Sequence, residues 1–178
     1  MNRITLHTFL ITLMLGLTAC NSGEQASAVG ENQSSAAAAT KAIEFVATQD
    51  DKPFVIEAAL FDTPAAKEFL ATGNNQYIGN ADAIAKGKKV FQLYSCTQCH
   101  GPEAKGQVGP GLTGPNYKYP KNATDKGMFE TVWHGTNGGM GAKGVGLMDP
   151  SDPKNGITPD EMLKIIAWIR SMGSPAGA

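Results

Sequence analysis

The chain has 178 residues, a formal net charge of −1 and 42% hydrophobic residues. That is enough for one folded domain with a tail, and the absence of a polybasic run gives no footing for nucleic-acid binding. Beyond the first twenty residues, nothing approaches the roughly 18 consecutive apolar residues of a membrane-spanning helix.

Residues 1–19 read as an export signal. Arg3 supplies the positive start, Phe9 to Leu17 a short apolar stretch, and Leu17-Thr18-Ala19-Cys20 the cleavage site. A cysteine at the cut is similar to the bacterial lipobox, which implies lipidation at Cys20 and a membrane tether in the periplasm. Two or three acyl chains, at roughly 0.8 kcal/mol per buried methylene, hold such an anchor stably. Residues 20–40 then form a lipidated start and a polar, alanine-rich linker with only Val29 as a large aliphatic residue. Such a segment cannot bury a core and reaches about 25 Å as a flexible leash.

Residues 41–79 form an N-terminal extension expected to pack on the following domain. Within it Phe54 to Leu60 predicts a short strand or extended segment, and Pro64 to Ala71 a short helix. Thr63 precedes that helix, Pro64 takes its first position, and Thr72-Gly73-Asn74-Asn75 stops it.

Residues 80–173 form the main domain and 174–178 a tail. Three helices are predicted in it. The first follows Asn80 and runs to about Tyr94, burying Ile84, Val90, Phe91 and Tyr94 and leaving Lys86, Lys88 and Lys89 to solvent. The second covers about Asp125 to His134. The third opens with the capping box Thr158-Pro159-Asp160-Glu161. It carries Met162, Ile165, Ile166, Ile169 and Met172 as an apolar stripe and ends at Gly173. The long Gly/Pro-rich loops between these helices imply function, or a large group around which they wrap.

Cys96-Thr97-Gln98-Cys99-His100 carries the chemistry. Two thiols at this spacing can add to the two vinyl groups of one haem, with the adjacent histidine ligating its iron. A thioredoxin-like pair needs a strand–CxxC–helix context, whereas this motif follows a helix and precedes loops. A structural zinc site needs four ligands, and His134 is the one further candidate in the mature chain, at unsuitable spacing. A disulfide would leave His100 unexplained.

The sixth iron ligand has several candidates. Met162 and Met172 lie on the last helix's apolar stripe and Met128 on the second helix, so packing is the expected role for all three. His134, at a helix end, reads as a surface imidazole. Met140 and Met148 remain, both in loops; the glycines around Met140 leave the backbone free to approach a porphyrin closely.

Several stretches resemble the cytochrome cL family, the periplasmic electron acceptors of pyrroloquinoline-quinone (PQQ)-dependent methanol dehydrogenases, including the lanthanide-dependent branch. They are 65–75, 77–87, the haem motif, 106–112, Tyr119-Pro120-Lys121-Asn122-Ala123-Thr124-Asp125, Gly135-Thr136-Asn137-Gly138-Gly139-Met140-Gly141 and 158–170. The resemblance implies a mainly α, class I-like cytochrome c fold, with a few helices and long loops wrapped around one haem c held through Cys96 and Cys99. It makes His100 and Met140 the iron ligands. It also gives Pro110, in Gly109-Pro110-Gly111-Leu112, the role of accepting the second ring nitrogen of His100.

Such a protein is an electron carrier rather than an enzyme. Its partners would be a PQQ-dependent methanol or alcohol dehydrogenase as donor and a cytochrome c or terminal oxidase as acceptor; the alternative is a fixed haem subunit of a membrane respiratory complex. Two features depart from the family: the lipobox, and an insert-like stretch from Lys143 to Gly156. Charge is also uneven. Residues 80–178 hold 11 Lys/Arg against 8 Asp/Glu, whereas 21–79 hold 3 against 8.

Overall fold

Helix formation follows the capping residues. Asn80 accepts from the Ala83 N–H, Thr124 from Gly127 and Thr158 from Glu161, each occupying a backbone donor that the first turn leaves unpaired. The computed structural model describes residues 43–173. The signal peptide, Cys20, the 20–40 linker and the 174–178 tail lie outside the described residues. In chain order the elements are β1 (Phe45–Val46), β2 (Pro53–Phe54), α1 (Pro64–Thr72), α2 (Ala81–Leu93), α3 (Thr97–His100), α4 (Asp125–His134) and α5 (Pro159–Ser171). Two 3-10 turns, Ala58–Leu60 and Pro120–Ala123, complete the regular structure.

The antiparallel pair β1–β2 joins Phe45 to Phe54 and Val46 to Pro53. The strand expected over 54–60 is therefore shorter. Phe54, Val55 and Ile56 still alternate, with Val55 94% exposed and Ile56 buried. β1 is only two residues long, so there is no partner beyond Phe54, and the chain coils at Ala58–Leu60 to deliver Phe61 into the core.

α2 crosses α5 on a face different from the one its large residues suggest. Ala83, Gly87 and Phe91 are buried, whereas Ile84, Val90 and Tyr94 are only half-buried. A Cβ on Gly87 would lie 1.9 Å from the Lys164 carbonyl oxygen, so a hydrogen at this position is what lets the two backbones meet. Phe91 then packs on Trp168 with ring centroids 4.7 Å apart. On α5, Met162, Ile165, Ile166 and Ile169 are buried as expected, but Met172 is 37% exposed. It caps the helix, where the chain turns away and the apolar stripe ends.

The 43–79 segment is fastened to the domain at two places. Along α4, Phe45 stacks on Phe129 at 5.4 Å, and Phe69 reaches the same ring at 4.9 Å. Beside them lies the carboxylate of Glu130, 1% exposed. It accepts from the Val46 N–H at 2.8 Å and pairs with Lys121 at 2.7 Å and Lys126 at 2.5 Å. With both oxygens accepting and two lysines as counter-charges, this charge can remain buried. At α5, Asp160 accepts from the Thr63 hydroxyl at 2.9 Å and the Tyr77 hydroxyl at 2.5 Å and also pairs with Lys164. Burial pushes the Asp160 carboxyl up, but those donors and the Lys164 charge outweigh it and hold it below the usual carboxylate range.

Candidate haem-binding site

α3 is a single turn built by the haem motif itself. Cys96 stands at its N-terminal edge and the His100 N–H donates to the Cys96 carbonyl at 2.9 Å. The loop that follows folds back onto this turn. Gly106 N–H donates to the His100 carbonyl at 2.9 Å and Gly109 N–H to the Cys99 carbonyl at 2.7 Å. At Gly109 a Cβ would lie 3.1 Å from His100 Cε1, so the loop runs directly over the imidazole.

That path carries the Pro110 carbonyl to 2.8 Å from His100 Nδ1. A carbonyl can only accept, so the proton sits on Nδ1 and the Nε2 lone pair is left to bind a metal. The His100 side chain is 8% exposed, fixed in direction by this bond and by its turn. Cys96 is half-buried and Cys99 exposed, both unbridged. Burial pushes the Cys96 thiol up, with Lys143 nearby pulling it back in part.

Cys96, Cys99, His100, Pro110 and Met140 all line one cavity of about 660 Å³ between these loops, α4 and α5. Its remaining wall is largely apolar, with Phe91, Leu112, Met128, Val132, Ile165 and Ile169. Met140 is brought there by the turn after α4, closed by a 2.8 Å bond from Thr136 N–H to the Met140 carbonyl. Gly135 opens this turn at φ +82°, and a Cβ there would meet Ala142 N at 2.6 Å.

The competing methionines divide clearly. Met162 is fully buried in the core and Met148 lies outside the cavity, its N–H tied to the Gly144 carbonyl at 3.0 Å. Met128 packs in the core as expected and also touches the cavity from α4. His134 is not among the lining residues and is not a plain surface imidazole either. It is half-buried against Phe54, with ring centroids 5.0 Å apart, and its Nδ1 is buried without a hydrogen-bond partner. The extension covers it, a placement its position at a helix end did not show.

The donor set and the cavity fit a haem: two thiols and an adjacent imidazole at its wall, and a thioether in the same space. The family model for cytochrome c matches residues 84–173. The solved structure of cytochrome cL from Hyphomicrobium denitrificans is 40% identical, with a TM-score of 0.62 over 72% of this chain and 73% of that one. The chain belongs to the cytochrome cL family. A second cytochrome cL structure, from the marine methylotrophic bacterium Methylophaga aminisulfidivorans, is 36% identical, with a TM-score of 0.60 over 72% of this chain and 79% of that one. Among curated proteins, cytochrome c-L of Methylorubrum extorquens is 46% identical over 112 residues, which is 62% of this chain and 51% of the relative. The chain thus spans about half the length of that curated relative. As a cytochrome cL, the protein has the mainly α class I cytochrome c fold and carries covalently attached haem c.

Sequence reasoning missed two parts of the site. The Pro120–Ala123 turn, which feeds α4, gave no periodic signal because it is four residues long. Nor was there a local signal that Lys118, Tyr119 and Thr136 would meet at one wall of the cavity, since the last of these is far along the chain.

Proposed function

We propose that this cytochrome cL is a periplasmic, lipid-anchored carrier that takes single electrons from a PQQ-dependent methanol or alcohol dehydrogenase and passes them to a cytochrome c or terminal oxidase. In this reading Cys96 and Cys99 form the thioethers, His100 and Met140 are the axial ligands, and Cys20 carries the lipid.

The observation that carries the reading is that His100, with its proton placed on Nδ1 by Pro110, shares a largely apolar cavity with Met140. The haem supplies a one-electron Fe(III)/Fe(II) couple when bound. His100 and Met140 would hold the iron; a soft thioether from Met140 would favour the reduced state and raise the potential, and ligation by both side chains would leave no open position for oxygen. His100 keeps its direction through the Pro110 bond, so little rearrangement accompanies electron transfer.

Stopped-flow mixing with a set of purified quinoprotein dehydrogenases tests the donor. Fast reduction by a methanol dehydrogenase, with an association rate that falls as salt rises, is the expected result. Reduction at the rate of an unrelated dehydrogenase overturns this choice of donor.

A further inference from the structure

One corner of the cavity is polar. Gly138 lies there, two residues before Met140. A Cβ on Gly138 would be 3.1 Å from Lys118 Nζ, 3.3 Å from the Tyr119 hydroxyl and 3.7 Å from Thr136 Oγ1. All four residues line the cavity. Three polar side-chain ends from two loops, remote in sequence, therefore converge on one small volume beside a mostly apolar wall. The corner is organised: Thr136 Oγ1 accepts from the Gly138 N–H at 3.2 Å, and Lys118 Nζ sits 5.9 Å from the centre of the Tyr119 ring. No carboxylate pairs with Lys118 among the described residues.

A cation and two hydroxyls in this arrangement suit a carboxylate, with one charge-assisted bond and two neutral ones. The haem itself brings two carboxylates, on the edge of the ring away from its vinyl groups. A second lysine, Lys143, lines the cavity outside this corner and is not among the atoms nearest Gly138.

We propose that Lys118, Tyr119 and Thr136 form the binding site for a haem propionate, with Lys118 as its counter-charge. This rests on the haem reading above. The site does two things. It gives the charged edge of an otherwise apolar group a partner, without which its burial is unfavourable. It also joins the loop that carries Met140 to the 118–119 loop through the propionate, so that the sixth ligand is held by the cofactor's own edge. Lys118 is exposed and Tyr119 half-buried, which puts this corner at the mouth of the cavity rather than in its depth.

The test uses the full-length holoprotein and the variants Lys118→Met, Lys118→Arg, Tyr119→Phe and, as a charge control, Lys67→Met on the solvent face of α1. Resonance Raman propionate bending bands and the midpoint potential at fixed pH and ionic strength are read for each. We expect Lys118→Met to move the propionate bands and lower the potential by clearly more than Lys67→Met. Lys118→Arg should restore the potential, and Tyr119→Phe should shift the bands with little change in potential. Bands and potential in Lys118→Met that match the Lys67→Met control overturn the assignment. A slower association with the electron donor as the sole effect also overturns it, and gives Lys118 to the docking surface instead. The haem absorption spectrum separates the two levels. A wild-type protein that attaches no haem removes the haem reading and this site together, whereas normal spectra with unmoved bands remove this site alone.

Discussion

At the scale of single residues, the proposed function turns on the choice between Met140 and Met148 as the thioether ligand. Both stand in loops, eight positions apart. Only Met140 lines the cavity with His100; Met148 is turned into the Gly144–Met148 bend. Met140→Ala is expected to abolish the weak long-wavelength thioether–iron absorption band, admit carbon monoxide to the reduced protein and lower the potential. Met148→Ala should leave the band intact, and absorption spectroscopy of the two variants checks both statements. The reverse pattern would move the axial ligand into the 143–156 stretch. His100 is legible from the motif alone, since its neighbours in sequence are the thiols it works with. The Pro110 contact depends on the loop folding back over ten residues, and Gly109 permits it by presenting no side chain to the imidazole.

Elements are held together here by close backbone approach and by a few buried polar clusters. Gly87 is the clearest case of the first. An added methyl would collide with the Lys164 carbonyl, which is backbone and cannot swing aside. Gly87→Ala should force α2 and α5 apart and, because the clash is with backbone, cost more than the 1–3 kcal/mol typical of overpacking, a net destabilisation even after the roughly 1 kcal/mol gain in helix propensity. Urea denaturation of the holoprotein measures this.

Asp160 illustrates the second. Its carboxyl is lowered in the folded protein by Lys164, Tyr77 and Thr63 against the opposing effect of burial. A folded pKa below the unfolded value means that the unfolded chain binds protons first as the solution is acidified. Stability from this group is therefore present above about pH 4, the ordinary carboxylate range, and is lost as pH falls through the lower folded value. Asp160→Asn should be less stable than the parent at neutral pH, and the gap should narrow as pH falls below about 4. Thermal melts across that range would show a constant gap if the carboxylate charge had no part in it.

For the whole molecule, the balance between core and cofactor is the governing question. The contiguous core runs from Phe45, Phe61 and Phe69 through Phe129 to Trp168 and Ile166, so the extension and the main domain share one apolar interior. Beside it lies a cavity of about 660 Å³. Without haem the apolar wall of this cavity, including Phe91, Leu112, Met128, Val132, Ile165 and Ile169, would face water, a loss of burial that weighs heavily against the roughly 5–15 kcal/mol of a typical domain. The variant with Cys96→Ala and Cys99→Ala, unable to attach haem, should therefore be unfolded or rapidly degraded; a sharp cooperative melt by circular dichroism would contradict this. Anchoring also belongs to this scale. Cys20→Ser is expected to release the protein from membranes or leave it unprocessed, read by fractionation and by mass spectrometry of the mature N-terminus.

Several features could be read from the sequence because their causes are local. Helices α1, α2, α4 and α5 begin at Thr63, Asn80, Thr124 and Thr158, where a side-chain oxygen meets a nearby backbone donor, so a few adjacent residues suffice to place each start. The haem motif is likewise complete within five residues and pointed to haem attachment, while the cytochrome c fold followed from the resemblance of several stretches to the cytochrome cL family. The tertiary structure alone decided what depends on residues far apart in the chain. It buried Glu130 by surrounding it with Lys121, Lys126 and the Val46 N–H, and it covered His134 with Phe54. It made Ala83, Gly87 and Phe91 the contact face of α2 in place of its bulkier neighbours. It also gathered Lys118, Tyr119 and Thr136 around Gly138. In each case burial and pairing are properties of the neighbours that folding brings in, and those neighbours leave no trace in the local pattern of residues.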